Sequence, residues 1–151
     1  MINKIINWFK SKVKLTKIDS SLIRKALPNN SKSINRKGVI YFEKIYNQRI
    51  IDEDYKSCSL TKFKDLLKKD FTNWKIYHKD YDCDNFAFKL YNNLKNKHPM
   101  LSVGIVFSTS HAFNVFVDNK GTAWYVEPQN DKMFKYEKLT KQYKPIILII
   151  I

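Results

Sequence analysis

The spacing of apolar residues predicts helices in the first two thirds of the chain. Apolar positions recur there at the three- and four-residue spacing of amphipathic helices, and serines that can act as caps precede two of these stretches. The most regular stripe starts at Cys83 behind Asp82, a natural N-cap, and Pro99 limits its end. The predicted helices cover residues 1–15, 20–27, 60–67 and 83–98.

The last third of the chain has the alternating and continuous apolar runs that are typical of β-strands. Residues 39–51 are also β-prone and supply one or two further strands, and 136–142 suit a short helix. The clearest strands are predicted at 101–107, 111–117, 122–127 and 146–151, the last of them an interior or covered strand. Helices followed by a mainly antiparallel sheet give an α+β fold.

Two stretches lack a regular pattern. Residues 29–37 are polar and rich in turn formers, and they are the best candidate for a mobile linker. Residues 70–81 are aromatic and irregular, and they could line one wall of a cleft. We therefore expect an N-terminal helical extension and linker at 1–37, followed by the main domain at 38–151.

Composition narrows the function classes only moderately. The 151 residues fit one domain, and 44% of them are hydrophobic, which suffices for a core. The sequence has 28 basic and 14 acidic side chains, and the resulting net charge of +14 favours an anionic ligand. An AT-rich genome, which encodes many lysines, would give the same excess of positive charge without any such ligand. No basic-aromatic motif for nucleic acid and no transmembrane run is present in the sequence.

Cysteine usage and the N-terminus favour a cytoplasmic protein, in the host cytoplasm if a phage encodes it. The two cysteines, Cys58 and Cys83, are too few for a disulfide framework, so free thiols are expected. The first fifteen residues lack the continuous apolar core of a secretion signal. The cysteines and histidines show no paired spacing of metal ligands.

Candidate chemistry centres on Cys83. A helix N-terminus stabilises a thiolate and offers free N–H groups to an oxyanion, although Asp82 and Asp84 oppose the thiolate. His111 begins a predicted strand, and a Cys–His pair is the usual arrangement for nucleophilic catalysis. The alternative for each residue alone is structural, as a buried thiol or a core histidine.

The predicted hairpin brings a carboxylate to His111. Residues 118–121 suit a three-residue loop with Gly121 in the left-handed region, so that Asp118 faces Thr122. In that register Glu127 is a same-face diagonal neighbour of His111 and could orient its ring, with Gln129 as a second orienting group or substrate contact. A two-residue loop would place Glu127 on the opposite face.

Four short motifs together resemble a known family. They are Asp82-Cys-Asp-Asn-Phe-Ala87, Val103-Gly-Ile-Val106, His111-Ala-Phe-Asn114 and Trp124-Tyr-Val-Glu-Pro-Gln129. They resemble the catalytic domain related to the mushroom agglutinin MOA, which also occurs in stand-alone proteins of phages and bacteria, over roughly residues 55–151. The chain departs from the agglutinin pattern because it lacks a sugar-binding β-trefoil.

The resemblance implies a papain-like or CHAP-like fold, with the Cys helix packed on the sheet, and a Cys83–His111–Glu127 triad. Calcium dependence in the mushroom proteins makes Asp80, Asp82 and Asp84 candidate ligands, so calcium is a possible cofactor. The supporting or substrate-binding candidates are Asp82, Asn85, Asn114, Trp124 and Gln129.

These observations predict a cysteine hydrolase of peptide or amide bonds, as an accessory protein of a phage or bacterium. The first alternative is a counter-defence protein that binds or degrades an anionic nucleotide signal or docks on a host protein. The second is a cell-wall amidase or endopeptidase. The expected partner is accordingly a protein, a peptide or an anionic ligand.

Overall fold

The computed structural model describes residues 14–27, 32–34, 40–42 and 48–151. Within them the helices are α1 (Ser20–Ala26), α2 (Leu60–Leu67) and α3 (Cys83–Lys97). The strands are β1 (Thr16–Asp19), β2 (Lys32–Ile34), β3 (Ile40–Phe42), β4 (Gln48–Arg49), β5 (Asp54–Ser57), β6 (Val103–Ser108), β7 (Ala112–Val117), β8 (Ala123–Glu127), β9 (Lys132–Phe134) and β10 (Ile146–Ile150). Short 3-10 segments lie at Thr72–Trp74, Tyr136–Lys138 and Lys141–Tyr143.

The main sheet of the described residues has the strand order β4-β10-β6-β7-β8-β9 and is antiparallel except for the β4–β10 pair. Two antiparallel pairs, β1 with β5 and β2 with β3, lie outside it. The predicted α+β class is therefore confirmed. As predicted, β10 is an interior strand, so this apolar segment does not form an exposed edge of the sheet.

Side chains of the sheet alternate between two cores, because successive residues of a strand point to opposite faces. On β7, Phe113 and Val115 join a core that includes Ile23 of α1, Tyr125 and Tyr143. The intervening Phe116 belongs to the core under α2 and stacks on the Phe63 ring at a centroid distance of 3.8 Å. The sheet is therefore covered by α1 on one face and by α2 and α3 on the other.

Caps fix the helix starts. The Ser59 hydroxyl accepts the Lys62 N–H at 3.4 Å and begins α2 where predicted, and Asp19 rather than a serine caps α1. At α3 the Asp82 N–H donates to Asn85 Oδ1 at 3.1 Å. None of the described helices is long and apolar enough to cross a membrane.

Several local predictions need correction. The strands β1, β5 and β9 were not predicted, and 136–142 forms two 3-10 segments instead of a helix. Residues 32–34 of the predicted linker form β2, which pairs with β3. The predicted helix at 1–15 lies outside the described residues apart from its last two positions, which are not helical. The boundary between 1–37 and 38–151 stays a prediction, although Ile18 and Ile23 contribute to the main core.

Candidate functional site

The β7–β8 hairpin has the predicted register. Gly121 has a φ of 79°, the Asp118 N–H donates to the Thr122 carbonyl at 2.9 Å, and Asn114 lies opposite Val126. The Asp118 carboxylate also accepts the N–H groups of Lys120 and Thr122, each at 2.9 Å. This turn places Glu127 on the same face as His111, as the three-residue loop predicts.

His111 and Glu127 are in direct contact. His111 Nε2 lies 2.7 Å from Glu127 Oε2, and the Glu127 carboxylate is buried while the ring is partly exposed. Burial alone would raise the pKa of Glu127, but the hydrogen bonds from His111 and Tyr143 and the electrostatic interaction with His111 lower it below its ordinary value. The hydrogen bonds that Glu127 receives from His111 and Tyr143 therefore favour its ionised form.

Tyr143 completes this group and was not predicted. Its hydroxyl donates to Glu127 Oε2 at 2.8 Å, and its ring lies edge-on to the His111 ring at a centroid distance of 5.2 Å. Burial and the neighbouring Glu127 raise the pKa of Tyr143 to about 12. Tyr143 lies in a 3-10 segment far along the chain, and no local sequence pattern links it to Glu127.

Cys83 occupies a different environment. Its side chain packs against Ala87, Ile105 and Ala112 at the start of α3. Ala112 points to the opposite face of β7 from Phe113, with which the His111 ring stacks at a centroid distance of 6.0 Å. The thiol therefore packs on the α3 side of the sheet, whereas the His111–Glu127 pair contacts Phe113 and Tyr143 of the other core.

The remaining predicted site residues have internal partners. The Asn114 amide donates to the Ala87 and Gly104 carbonyls at 3.0 and 3.1 Å, and Trp124 Nε1 donates to Asp118 Oδ2 at 2.9 Å. Gln129 contributes its backbone N–H to Glu127 Oε1 at 3.2 Å. Asn85 caps α3. These contacts give each residue a structural role, and a role in binding substrate stays a prediction.

The acids around Cys83 do not assemble a three-carboxylate cation site. A hydrogen bond shared with Asp82, together with burial, raises the pKa of Asp84, so these two carboxyls lie close together. Asp80 is in the exposed turn between His78 and Tyr81. In the described part of the chain, no group of three or more His, Cys, Asp or Glu side chains could hold a metal ion. Calcium binding itself stays a prediction.

The two thiols should differ strongly in reactivity. Burial, and then the charge of Asp118, raises the pKa of Cys58 to about 11, while Cys83 is partly exposed at a helix N-terminus. We expect iodoacetamide to label Cys83 at least about tenfold faster than Cys58 near neutral pH. Peptide mass spectrometry of a labelling time course measures both rates in one sample. Equal rates would contradict the assignment of Cys83 to the helix N-terminus.

The comparisons with known proteins identify the family. The family model for the ricin-type beta-trefoil lectin C-terminal domain matches residues 14–149. The chain belongs to the ricin-type beta-trefoil lectin C-terminal domain family. No curated protein matches the chain. The fold of this lectin-family chain is similar to that of two solved structures.

One is titled "PSL1a-E64 complex", with a TM-score of 0.66 and 16% identity over 89% of this chain and 51% of that one. The other is a Polyporus squamosus lectin bound to the human-type influenza-binding epitope Neu5Aca2-6Galb1-4GlcNAc, with a TM-score of 0.55 and 18% identity over 70% of this chain and 42% of that one. The lectin-family chain thus spans about half the length of the structures that it matches.

These findings correct the predicted function. The predicted cysteine hydrolase is wrong, and so are its description as an enzyme and its two alternatives, because the family is a lectin family. The structure supplies the physical reason: Glu127 is satisfied by His111 and Tyr143 within a core, so the order Cys, His, Glu does not require catalysis. The relation to the mushroom agglutinin is confirmed at the level of the family, and the comparisons do not support a papain-like assignment.

Proposed function

We propose that this protein binds an acidic carbohydrate in an open cleft between the end of α2 and the outer face of α3. The cleft has a volume of about 500 Å³, within the ordinary range for small-ligand sites. We call it the lysine cleft. Its lining consists of four lysines, two asparagines, one aromatic ring and one acid: Lys69, Lys75, Lys89, Lys97, Asn93, Asn96, Phe71 and Asp70.

The single observation that carries the proposal is an exposed aromatic ring beside amides and lysines in a lectin-family chain. Phe71 leaves 56% of its surface in solvent, and an aromatic face is a suitable platform for the apolar C–H face of a sugar ring. The amide of Asn96 can both donate to and accept from hydroxyl groups. Aromatic stacking together with paired polar groups is the arrangement that sugar binding requires.

The charges in the cleft favour an acidic sugar. The Asp70 carboxylate is buried and accepts the Thr72 N–H at 2.9 Å and the Asn93 amide at 2.8 Å, so hydrogen bonds already occupy the one acid of the lining. The four lysines attract an anionic ligand. The Polyporus squamosus lectin is bound to a glycan that contains Neu5Ac, an acidic sugar. The anionic partner predicted from the sequence would be such a glycan.

The proposed sugar-binding site lies in this α+β domain itself. The main sheet of the described residues is an open sheet with helices on both faces, and not a trefoil. We further propose a papain-like arrangement in the architectural sense only. Its support is that α3 starts at Cys83 and packs on β6 and β7, while Glu127 ends the neighbouring β8. Cys83, His111 and Glu127 remain proposed site residues of that arrangement.

Titration of a sialylated trisaccharide and its neutral counterpart, by calorimetry or NMR, tests the proposal. We expect the acidic sugar to bind more tightly, Phe71→Ala to weaken both sugars by about tenfold, and Lys97→Glu to weaken only the acidic one. Phe88→Ala and Lys138→Glu are matched controls outside the cleft and should bind as the wild type does. Equal affinity for the two sugars, or unchanged binding by Phe71→Ala, would exclude the lysine cleft as an acidic-sugar site.

Alkylation separates the lysine cleft from the Cys83 region. Carbamidomethylated protein should bind the acidic trisaccharide with unchanged affinity, because Cys83 is not part of the cleft lining. Loss of binding after alkylation would place the ligand at Cys83 and His111 instead.

A further inference from the structure

Four large apolar side chains are exposed within seven residues of the chain. In the segment 71–77, which we call the aromatic loop, the exposed fractions are 56% for Phe71, 75% for Trp74, 81% for Ile76 and 55% for Tyr77. Single exposed apolar residues are common on protein surfaces, whereas a contiguous patch marks a contact surface. The patch contains Trp and Tyr, the residues that are enriched at membrane–water interfaces.

The aromatic loop is held in place from below by polar contacts. The buried Asp70 accepts the Thr72 N–H and the Asn93 amide, and the Asn73 amide donates to Asp131 Oδ2 at 2.8 Å. Thr72 is itself buried. Since these contacts fix the base of the loop on α3 and on the β8–β9 turn, its apolar side chains point outward on a supported scaffold.

Four exposed lysines flank the aromatic loop in the sequence or lie within it. Residues 68–79 contain Lys68, Lys69, Lys75 and Lys79, and the one acid among them is the buried Asp70. Asp80 follows directly in the exposed turn and offsets part of this charge. An exposed apolar patch within a basic rim complements a surface that is apolar inside and negatively charged outside.

We propose that the aromatic loop docks the protein on an anionic lipid bilayer. Trp74 and Ile76 enter the boundary between headgroups and acyl chains, and the surrounding lysines contact the anionic headgroups. Neither signal alone gives stable attachment, but a basic patch and a short apolar insertion act together. The aromatic loop shares Phe71 and Lys75 with the lysine cleft, but Trp74 and Ile76 do not line the cleft, so the two proposals can be tested separately.

Co-sedimentation of the full chain with synthetic vesicles tests the inference without any glycan present. The vesicles are phosphatidylcholine alone or with about 30% phosphatidylserine. We expect binding only to the anionic vesicles, with a loss when the salt concentration is raised to about 0.5 M. Ile76→Ser and Trp74→Ala should each weaken vesicle binding by at least about tenfold, because each removes a large apolar surface that insertion into the bilayer would bury.

The matched control is Ile51→Ser, since Ile51 is also exposed, at 69%, and lies outside the aromatic loop. It should bind vesicles as the wild type does. The inference is overturned if the wild type ignores anionic vesicles, if it binds neutral vesicles equally well, or if Ile76→Ser and Ile51→Ser behave alike. Sugar titration of Ile76→Ser distinguishes the membrane proposal from the sugar-binding proposal. This variant should retain its affinity for the acidic trisaccharide, whatever the result of the vesicle assay.

Discussion

Replacing Glu127 by Ala is expected to lower the free energy of unfolding by about 3 kcal/mol or more, because removal of a buried acceptor leaves its donors unpaired. The carboxylate accepts from His111 Nε2, the Tyr143 hydroxyl and the Gln129 N–H. For a domain of this size such a loss corresponds to a melting temperature lower by roughly 10 °C. Thermal and denaturant unfolding measure it.

Glu127→Gln is the control, because it keeps the shape and one acceptor oxygen while removing the charge. It should cost about half as much as the alanine substitution. Wild-type stability from Glu127→Ala would mean that the three hydrogen bonds contribute nothing. Equal losses in the two variants would mean that the charge carries the whole effect.

The pH dependence of Glu127 has a definite sign. Its pKa is lower in the fold than in the unfolded chain, so its contribution is complete above the ordinary glutamate pKa and is lost as the pH falls through the folded value. Asp131 acts in the opposite direction, because burial and then Asp70 raise its pKa to about 6. The stability difference between wild type and Glu127→Gln, followed from about pH 7 down to pH 3, removes the Asp131 contribution and should shrink.

Local patterns predicted the hairpin and the long helix well. The order Asp118, two polar residues and Gly121 determines the loop length, and the loop length decides which residues face each other, so Glu127 could be placed beside His111 from the sequence. The Cys83 helix followed from a cap, a stripe and a downstream proline.

Long-range contacts were the part that local patterns could not supply. The strands β1, β5 and β9 are short and carry exposed lysines, so their pairing depends on partners elsewhere in the chain. Tyr143 reaches Glu127 from a distant 3-10 segment. The lysine cleft collects side chains from the end of α2, the aromatic loop and α3, and in the sequence these looked like ordinary charges.

The prediction of a cysteine hydrolase from short motifs failed for a related reason. A Cys, a His and a Glu in a familiar order indicate a catalytic set only if the fold turns them toward one another. Here the hairpin register joins His111 to Glu127 beside Tyr143, and Cys83 packs beside Ala87 and Ala112 at the start of α3. Residue order alone therefore does not show which groups share a site, and a shared site for Cys83, His111 and Glu127 stays a proposal.

The side chain of Asn114, a residue of β7, connects the sheet to the Cys83 helix, and Asn114→Asp should be strongly destabilising. The buried Asn114 amide donates to the carbonyls of Ala87 in α3 and Gly104 in β6. An isosteric carboxylate would face two carbonyl oxygens, so the new side chain must be protonated in the fold, and its pKa should rise by several units. At neutral pH this costs about 3 kcal/mol or more.

The sign of the pH effect separates this cause from a packing defect. A carboxyl whose pKa is raised in the fold destabilises the protein increasingly as the pH rises above its unfolded value, so the stability deficit of Asn114→Asp relative to wild type should shrink toward about pH 4. Asn92→Asp, at an exposed position of the same helix, is the matched control and should remain within about 0.5 kcal/mol of wild type. A loss in Asn114→Asp that does not change with pH would instead indicate lost packing, and the amide would not be the link between α3 and the sheet.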